Sequence, residues 1–169
     1  QIGPGTLRVF ASLALMLFSA LLITLSLIDL EFQIIPDILS LGGIVAGFVF
    51  SFLRYGFGYK DALLGIFIGG GILFVIAYGY QLITKREGMG GGDIKLLGMI
   101  GAFCGLKGVI FSLVAGSLLG TIVGIPLMVM QKKDMKYAIP FGPFLSLAAL
   151  VFVFFGDTII YVFLKVLYA

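Results

Sequence analysis

"LRVFASLALMLFSALLITLSLIDLEFQIIPD", residues 7–37, decides how the rest of the chain is to be read. From Leu7 to Ile28 it is apolar apart from Arg8 and a few hydroxyl side chains. A helix of that length, at about 1.5 Å per residue, crosses the roughly 30 Å hydrocarbon layer of a membrane. Three acids then arrive, Asp29, Glu31 and Asp37, with no basic residue among them. Pro36 ends any helix before it and suits the first turn of the next. The stretch therefore reads as a membrane span, an acidic link and a fresh helix start.

The same pattern repeats outward. After this first span, A, the sequence predicts span B over Ile38–Leu53, span C over Ala62–Ile83, a short span D over Ile94–Leu106, span E over Gly108–Met130 and span F over Phe144–Leu167. The links are short and polar, so no soluble domain fits between them. The chain is 61% hydrophobic and 11% charged, against about 25% charged in soluble domains. The apolar runs do not alternate with polar residues as barrel strands must. The expected fold is all-α: a polytopic transmembrane helix bundle of about six spans, some short, forming one membrane-embedded domain over 1–169 in contact with the lipid bilayer. The glycines at 69–71, and the Gly116–Gly120 pair in span E, are expected to let helices approach closely. The net charge is only +3 and no basic cluster stands out, which argues against a nucleic-acid partner. Histidine is absent and Cys104 is the one cysteine, so neither an internal disulfide nor a His/Cys metal site is expected. The first residue is Gln1, not methionine, and an upstream segment absent from this chain is an open expectation.

Two carboxylates need a reason. Asp29 falls at the carbonyl end of span A, where a negative charge is unfavourable by about 0.3–1 kcal/mol. It is either a hydrated residue that stops the span or a functional group, since ionisable side chains near membrane depth are costly. Asp93 opens span D, where free amides favour a carboxylate, and a plain N-cap is the simplest account of it. The stretch "GMGGGDIKLLG", residues 88–98, complicates that account. A cap needs one special residue before it, whereas Gly88, Gly90, Gly91 and Gly92 all precede Asp93. So many glycines suit a slot in which an extended peptide lies against backbone. The stretch lacks the Lys-Ser/Thr ending of a phosphate-binding loop.

Spans B and C separate Asp29 from Asp93, and an even number of crossings returns the chain to the same face. With that face inside the cell, Lys85, Arg86, Lys95, Lys132, Lys133 and Lys136 are cytoplasmic, and Arg8, Arg54, Lys60, Lys107 and Lys165 lie opposite. The first set is the larger and is grouped in two loops, which favours this orientation. Two neighbouring carboxyl groups share a proton, so one can activate water while the other protonates a carbonyl oxygen. That chemistry splits a peptide bond without a metal or a nucleophilic side chain. The helix-end fields lead to the expectation that Asp29 holds the shared proton at rest.

The paired motifs "DLEFQIIPD" and "GMGGGDIKLLG" resemble those of the type IV prepilin peptidases, membrane aspartic proteases of the GxGD class. Asp29, followed after five residues by Ile35-Pro36-Asp37, resembles their first motif, and Gly88–Leu96 resembles their second without a gap. "IPFGPFL", residues 139–145, is similar to a further segment common among them. The resemblance implies that Asp29 and Asp93 are the catalytic pair and that Asp37 is a motif residue, which could also cap span B. It implies a type IV prepilin or pseudopilin substrate whose basic leader is cut at the cytoplasmic face of the bacterial inner membrane. The expected substrate contacts are Gly88, Gly90, Gly91 and Gly92 along the peptide, Glu31 toward the basic leader, and Lys95 on leader backbone or simply at the lipid interface. Cleavage is expected to need no cofactor. Many members also transfer a methyl group from S-adenosylmethionine and carry an upstream segment with two zinc-binding Cys-x-x-Cys pairs. With Cys104 alone here, methylation is expected only if such a segment is present. The competing readings are a proton-coupled transporter with the two aspartates as a relay, which predicts carboxylates near mid-membrane and paired repeats, and a packing subunit, which has no use for the glycine-rich stretch.

Overall fold

The computed structural model describes residues 4–52, 58–85, 90–130 and 140–167. Five helical elements follow one another: α1 Pro4–Phe32, α2 Asp37–Ser51, α3 Tyr59–Thr84, α4 Gly91–Met130 and α5 Gly142–Leu167. Three stretches are long and apolar enough to cross a membrane, Val9–Phe32, Tyr59–Thr84 and Gly91–Leu127, while α2 and Gly142–Gly156 are shorter apolar helices. Large apolar side chains such as Ile38, Phe67 and Ile83 cover the outside, as lipid-facing residues of a polytopic bundle do.

Spans D and E are a single element, α4, broken at Gly105, whose φ of 65° and ψ of −169° lie outside helical values. The break reverses the chain. A Cβ placed on Gly69 would stand 2.7 Å from the carbonyl oxygen of Leu97 and 3.1 Å from Cγ2 of Val109. In a straight helix residues 97 and 109 would be about 18 Å apart. The first arm of α4, 91–104, therefore folds back on the second, 106–130. The two arms with α1, α2, α3 and α5 make the six rods expected from the sequence, but a tight turn replaces the expected link.

The short first arm is the centre of the bundle. Leu96, Leu97, Met99, Ile100, Ala102 and Phe103 are all buried, and a helix buried on every side is one enclosed by others. Its neighbours present small residues to it. The buried positions of α2 are Ser40, Gly43, Gly47 and Ser51, and those of α3 are Ala62, Gly65, Gly69 and Leu73. At the closest crossing, a Cβ on either Gly65 or Gly101 would run into the backbone of the other. Gly69 is likewise a close-packing position, whereas Gly71 meets nothing within 4 Å. Gly116 and Gly120 serve α5, facing Leu145 and Phe144 respectively. The buried hydroxyls Ser40 and Ser51 donate to carbonyls of their own helix, those of Pro36 and Phe48. From α1, Phe18 reaches in and stacks on Phe103 with ring centroids 4.3 Å apart.

Helix ends differ from the sequence reading in ways that matter for the site. α1 continues to Phe32, so Asp29 lies inside its last turns and not beyond it. It ends where Gln33 takes a positive φ of 55° and donates its N–H to the carbonyl of Asp29 at 2.9 Å. α4 starts at Gly91, which makes Asp93 a first-turn residue and not an N-cap. Asp37 is the first residue of α2; Pro36 occupies the cap position and no side chain caps the helix.

Candidate active site

Helical periodicity places Asp29. The buried positions along α1 are Ala14, Phe18, Leu22, Leu25 and then Asp29, each three or four residues after the last, as one helix face requires. The carboxyl group thus continues an apolar stripe that faces the bundle interior. It is 6% exposed, and a buried carboxylate must be hydrogen-bonded or paired. The amide of Gly142, the first residue of α5, donates to its Oδ2 at 3.1 Å. Asp93 approaches from the other side. The N–H of Asp93 donates to the carbonyl of Gly90 at 3.3 Å, closing the first turn of α4. Its side chain is half-buried and follows Gly92, which packs against Ile35 as Gly142 does. Two groups 64 positions apart in the chain thereby stand at the same end of the bundle, as counting crossings predicted.

The Gly142 amide gives Asp29 a partner that the sequence did not reveal. It comes from the amide end of a second helix, aimed at a side chain near the carbonyl end of α1.

The remaining expected contacts divide. Lys95 forms an ion pair with Asp37, Nζ to Oδ1 at 2.5 Å. Lys95 is so committed to fastening the start of α2 to the start of α4, rather than standing free for a leader peptide. Both side chains keep substantial exposure, 34% and 61%, so the pair adds at most about 1 kcal/mol. Glu31 is exposed and, two residues beyond Asp29, points about 200° round the helix from it. The structure does not bring it to the pair. Gly88 lies outside the described residues, as do Arg86, Lys132, Lys133, Lys136 and the side chain of Asp157.

Gly90, Gly91 and Gly92 are used differently from expectation. Among the described residues the only glycine with positive φ is Gly105, so these three do not exploit glycine's special angles. Gly92 is a contact position, where a Cβ would lie 2.8 Å from Cβ of Ile35. Gly91 is exposed and a Cβ there meets nothing within 4 Å among the described residues, and Gly90 is nearly as open. One tight and two open glycines flank Asp93.

Sequence reasoning missed two residues. Ile35 is buried and packs toward Gly92 on one side and Gly142 on the other, where a Cβ would lie 3.2 Å from its Cδ1. Gly142 had a signal, the Gly-Pro at the head of span F, but nothing local says which carboxylate it meets. Cys104 is half-buried beside Gly108, as a core residue would be. Among the described residues no three Cys, Asp or Glu side chains gather as a metal site.

Known proteins resemble this chain over most of its length. The profile of the type IV leader peptidase family matches residues 16–125. A prepilin leader peptidase/N-methyltransferase of Aeromonas hydrophila is 34% identical over 158 residues, covering 94% of this chain and 53% of the relative. The protein of the same name from Pseudomonas putida is 36% identical over 138 residues, covering 82% of this chain and 48% of the relative. The Escherichia coli K12 protein is 36% identical over 139 residues, with 82% and 61% covered. The chain spans about half the length of most of these curated relatives. No solved structure matches it. On the family profile and the length over which these identities hold, the chain belongs to the type IV leader peptidase family.

Proposed function

We propose that this chain is an aspartic endopeptidase that removes the basic leader from type IV prepilin-like precursors, prepilins or pseudopilins, at the cytoplasmic face of the bacterial inner membrane. One observation carries the reading: buried Ile35 packs toward both Gly92, next to Asp93, and Gly142, whose amide holds Asp29, so the two acids stand at the same end of the bundle. A buried acid with an acidic neighbour is a poor structural device, because each disfavours ionisation of the other. It is a good device for moving a proton.

In the cleavage step the carboxylate of Asp29 takes a proton from a water molecule, whose oxygen attacks the scissile carbonyl carbon. Asp93 gives its proton to the carbonyl oxygen. The tetrahedral diol collapses as Asp29 gives its new proton to the peptide nitrogen, which leaves as an amine, and Asp93 takes a proton back from a diol hydroxyl, so the carboxyl pair ends with one shared proton, as it began. The open side of Gly90 and Gly91 gives an extended peptide a backbone to lie along beside Asp93. The proton-relay reading calls for carboxylates near mid-membrane; here both stand in terminal turns of their helices.

The relatives' name also includes N-methyl transfer. Among the described acids, Asp37 is taken by Lys95 and Glu31 faces away from the pair.

The test uses purified protein in detergent and a substrate with a short basic leader ending in glycine before a hydrophobic helix. Asp29→Asn and Asp93→Asn are each expected to lower the cleavage rate by about 10²–10⁴-fold. A variant that cleaves near the wild-type rate removes its residue from the mechanism.

A further inference from the structure

We infer that Gly142 is a positioning residue for Asp29, and that α5 is built to offer that carboxylate a single amide. The inference rests on the peptidase reading above and names what holds one member of the pair in place.

Any α-helix begins with amides that have no partner inside it. In α5 the sequence at this point is Gly142-Pro143-Phe144-Leu145, preceded by Phe141. Pro143 has no N–H to give. Phe144 and Leu145 both donate to the carbonyl of Phe141, at 3.1 and 3.2 Å. That leaves the amide of Gly142, and it donates to Oδ2 of Asp29 at 3.1 Å. Asp29 is thus the N-cap of a helix 113 residues away. The arrangement also answers why an acid stands near the carbonyl end of α1. The unfavourable end of one helix dipole is offset by the favourable end of another.

Two consequences bear on the reaction. With Oδ2 held by the amide, the carboxyl group is fixed in one orientation. The position must also be glycine. A Cβ there would stand 2.5 Å from Oδ2, 3.2 Å from Cγ of Asp29 and 3.2 Å from Cδ1 of Ile35. Contacts to Asp29 and to Ile35 can be separated by mutation, because trimming Ile35 relieves only one of them.

Three variants of the protein in detergent make the test: Gly142→Ala, Ile35→Val and the double substitution. Gly142→Ala is expected to lower kcat by about 10- to 100-fold, with KM moved by no more than about twofold. Ile35→Val removes Cδ1 and so opens space for the new methyl, but leaves its collision with the carboxylate. The double variant is therefore expected to stay as slow as Gly142→Ala. Recovery of the double variant to the rate of Ile35→Val alone would make Gly142 a packing residue and overturn the inference. A second measurement needs neither substrate nor a Gly142 variant. In glycine-labelled protein the amide proton of Gly142 is expected to resonate further upfield in Asp29→Asn than in wild type; an unmoved resonance overturns the inference. The two readings fail separately. A shifted resonance in a protein that never cleaves removes the peptidase assignment and leaves the cap. Cleavage with an unmoved resonance removes the cap alone.

Discussion

Gly101 and Gly91 belong to the same arm of α4 and meet opposite surroundings. At Gly101 a Cβ would collide with the backbone of Gly65, and the helix axes there approach as closely as backbones allow. At Gly91 a Cβ would meet nothing within 4 Å among the described residues. One end of the central arm is locked between neighbours, and the other opens beside Asp93. The proposed mechanism asks for a fixed spacing between its two carboxyl groups, which a rigid helix locked at one end would supply. It also asks for room for a peptide, which the open end would supply. The same residue type does both because it lacks a side chain, but at Gly101 the absent Cβ makes space for protein and at Gly91 for something else.

The sharpest way to break this contrast is at the locked end. Gly101→Val puts a branched side chain against the Gly65 backbone, which cannot move out of the way as a flexible side chain would. Overpacking of this kind is expected to destabilise by about 3 kcal/mol, read as a lower midpoint in thermal unfolding in detergent. Loss of cleavage should follow from the spreading of α3 and α4, although Gly101 stands far along the arm from Asp93. A variant of wild-type stability would mean that the crossing is looser than the Gly65–Gly101 approach implies.

A smaller effect is expected at the turn that returns the chain from the locked end. Gly105 combines φ 65° with ψ −169°, a region that only glycine enters freely, at about 1–3 kcal/mol for other residues. Gly105→Ala should therefore lower stability by about 2 kcal/mol. Its distance from the carboxylates makes a further statement possible. Cleavage measured well below the unfolding midpoint should stay within about twofold of wild type, since this energy is spent on folding and not on transition-state contacts.

How much of this was readable beforehand depends on the range of the signal. Asp29 and Asp93 were placed at one face by counting crossings, which needs only the apolar runs and no helix boundary. Six rods were readable for the same reason. Glu31 was misplaced because the acids at 29, 31 and 37 look like one loop until α1 is known to run on to Phe32; a helix then turns Glu31 away from Asp29. The reversal at Gly105 was hidden because a positive φ leaves no mark that other glycines in this chain do not share. Lys95 was read as a leader-backbone contact or a lipid-interface residue because its partner Asp37 lies 58 residues upstream. Gly142 was invisible as a cap for the same reason. Its ligand is a side chain on another helix, and caps are legible only when donor and acceptor are neighbours in sequence.

The open end gives the smallest and most discriminating change. Gly91 lies in the first turn of α4, is exposed, and does not use a positive φ. Alanine there fits without contact and restricts the unfolded chain, so Gly91→Ala should raise stability by about 0.4–1 kcal/mol. If Gly91 is open only because the surface is empty, cleavage will be unaffected. If the opening is where a peptide backbone lies, the added methyl stands between substrate and protein, and KM should rise several-fold, on the order of 1 kcal/mol in binding, with kcat nearly unchanged. The expected result is a protein that is harder to unfold and binds its substrate less well. Stability and affinity moving in opposite directions from one methyl group is not what a packing glycine gives, and an unchanged KM would take Gly91 out of the substrate path while leaving Gly101 in its structural role.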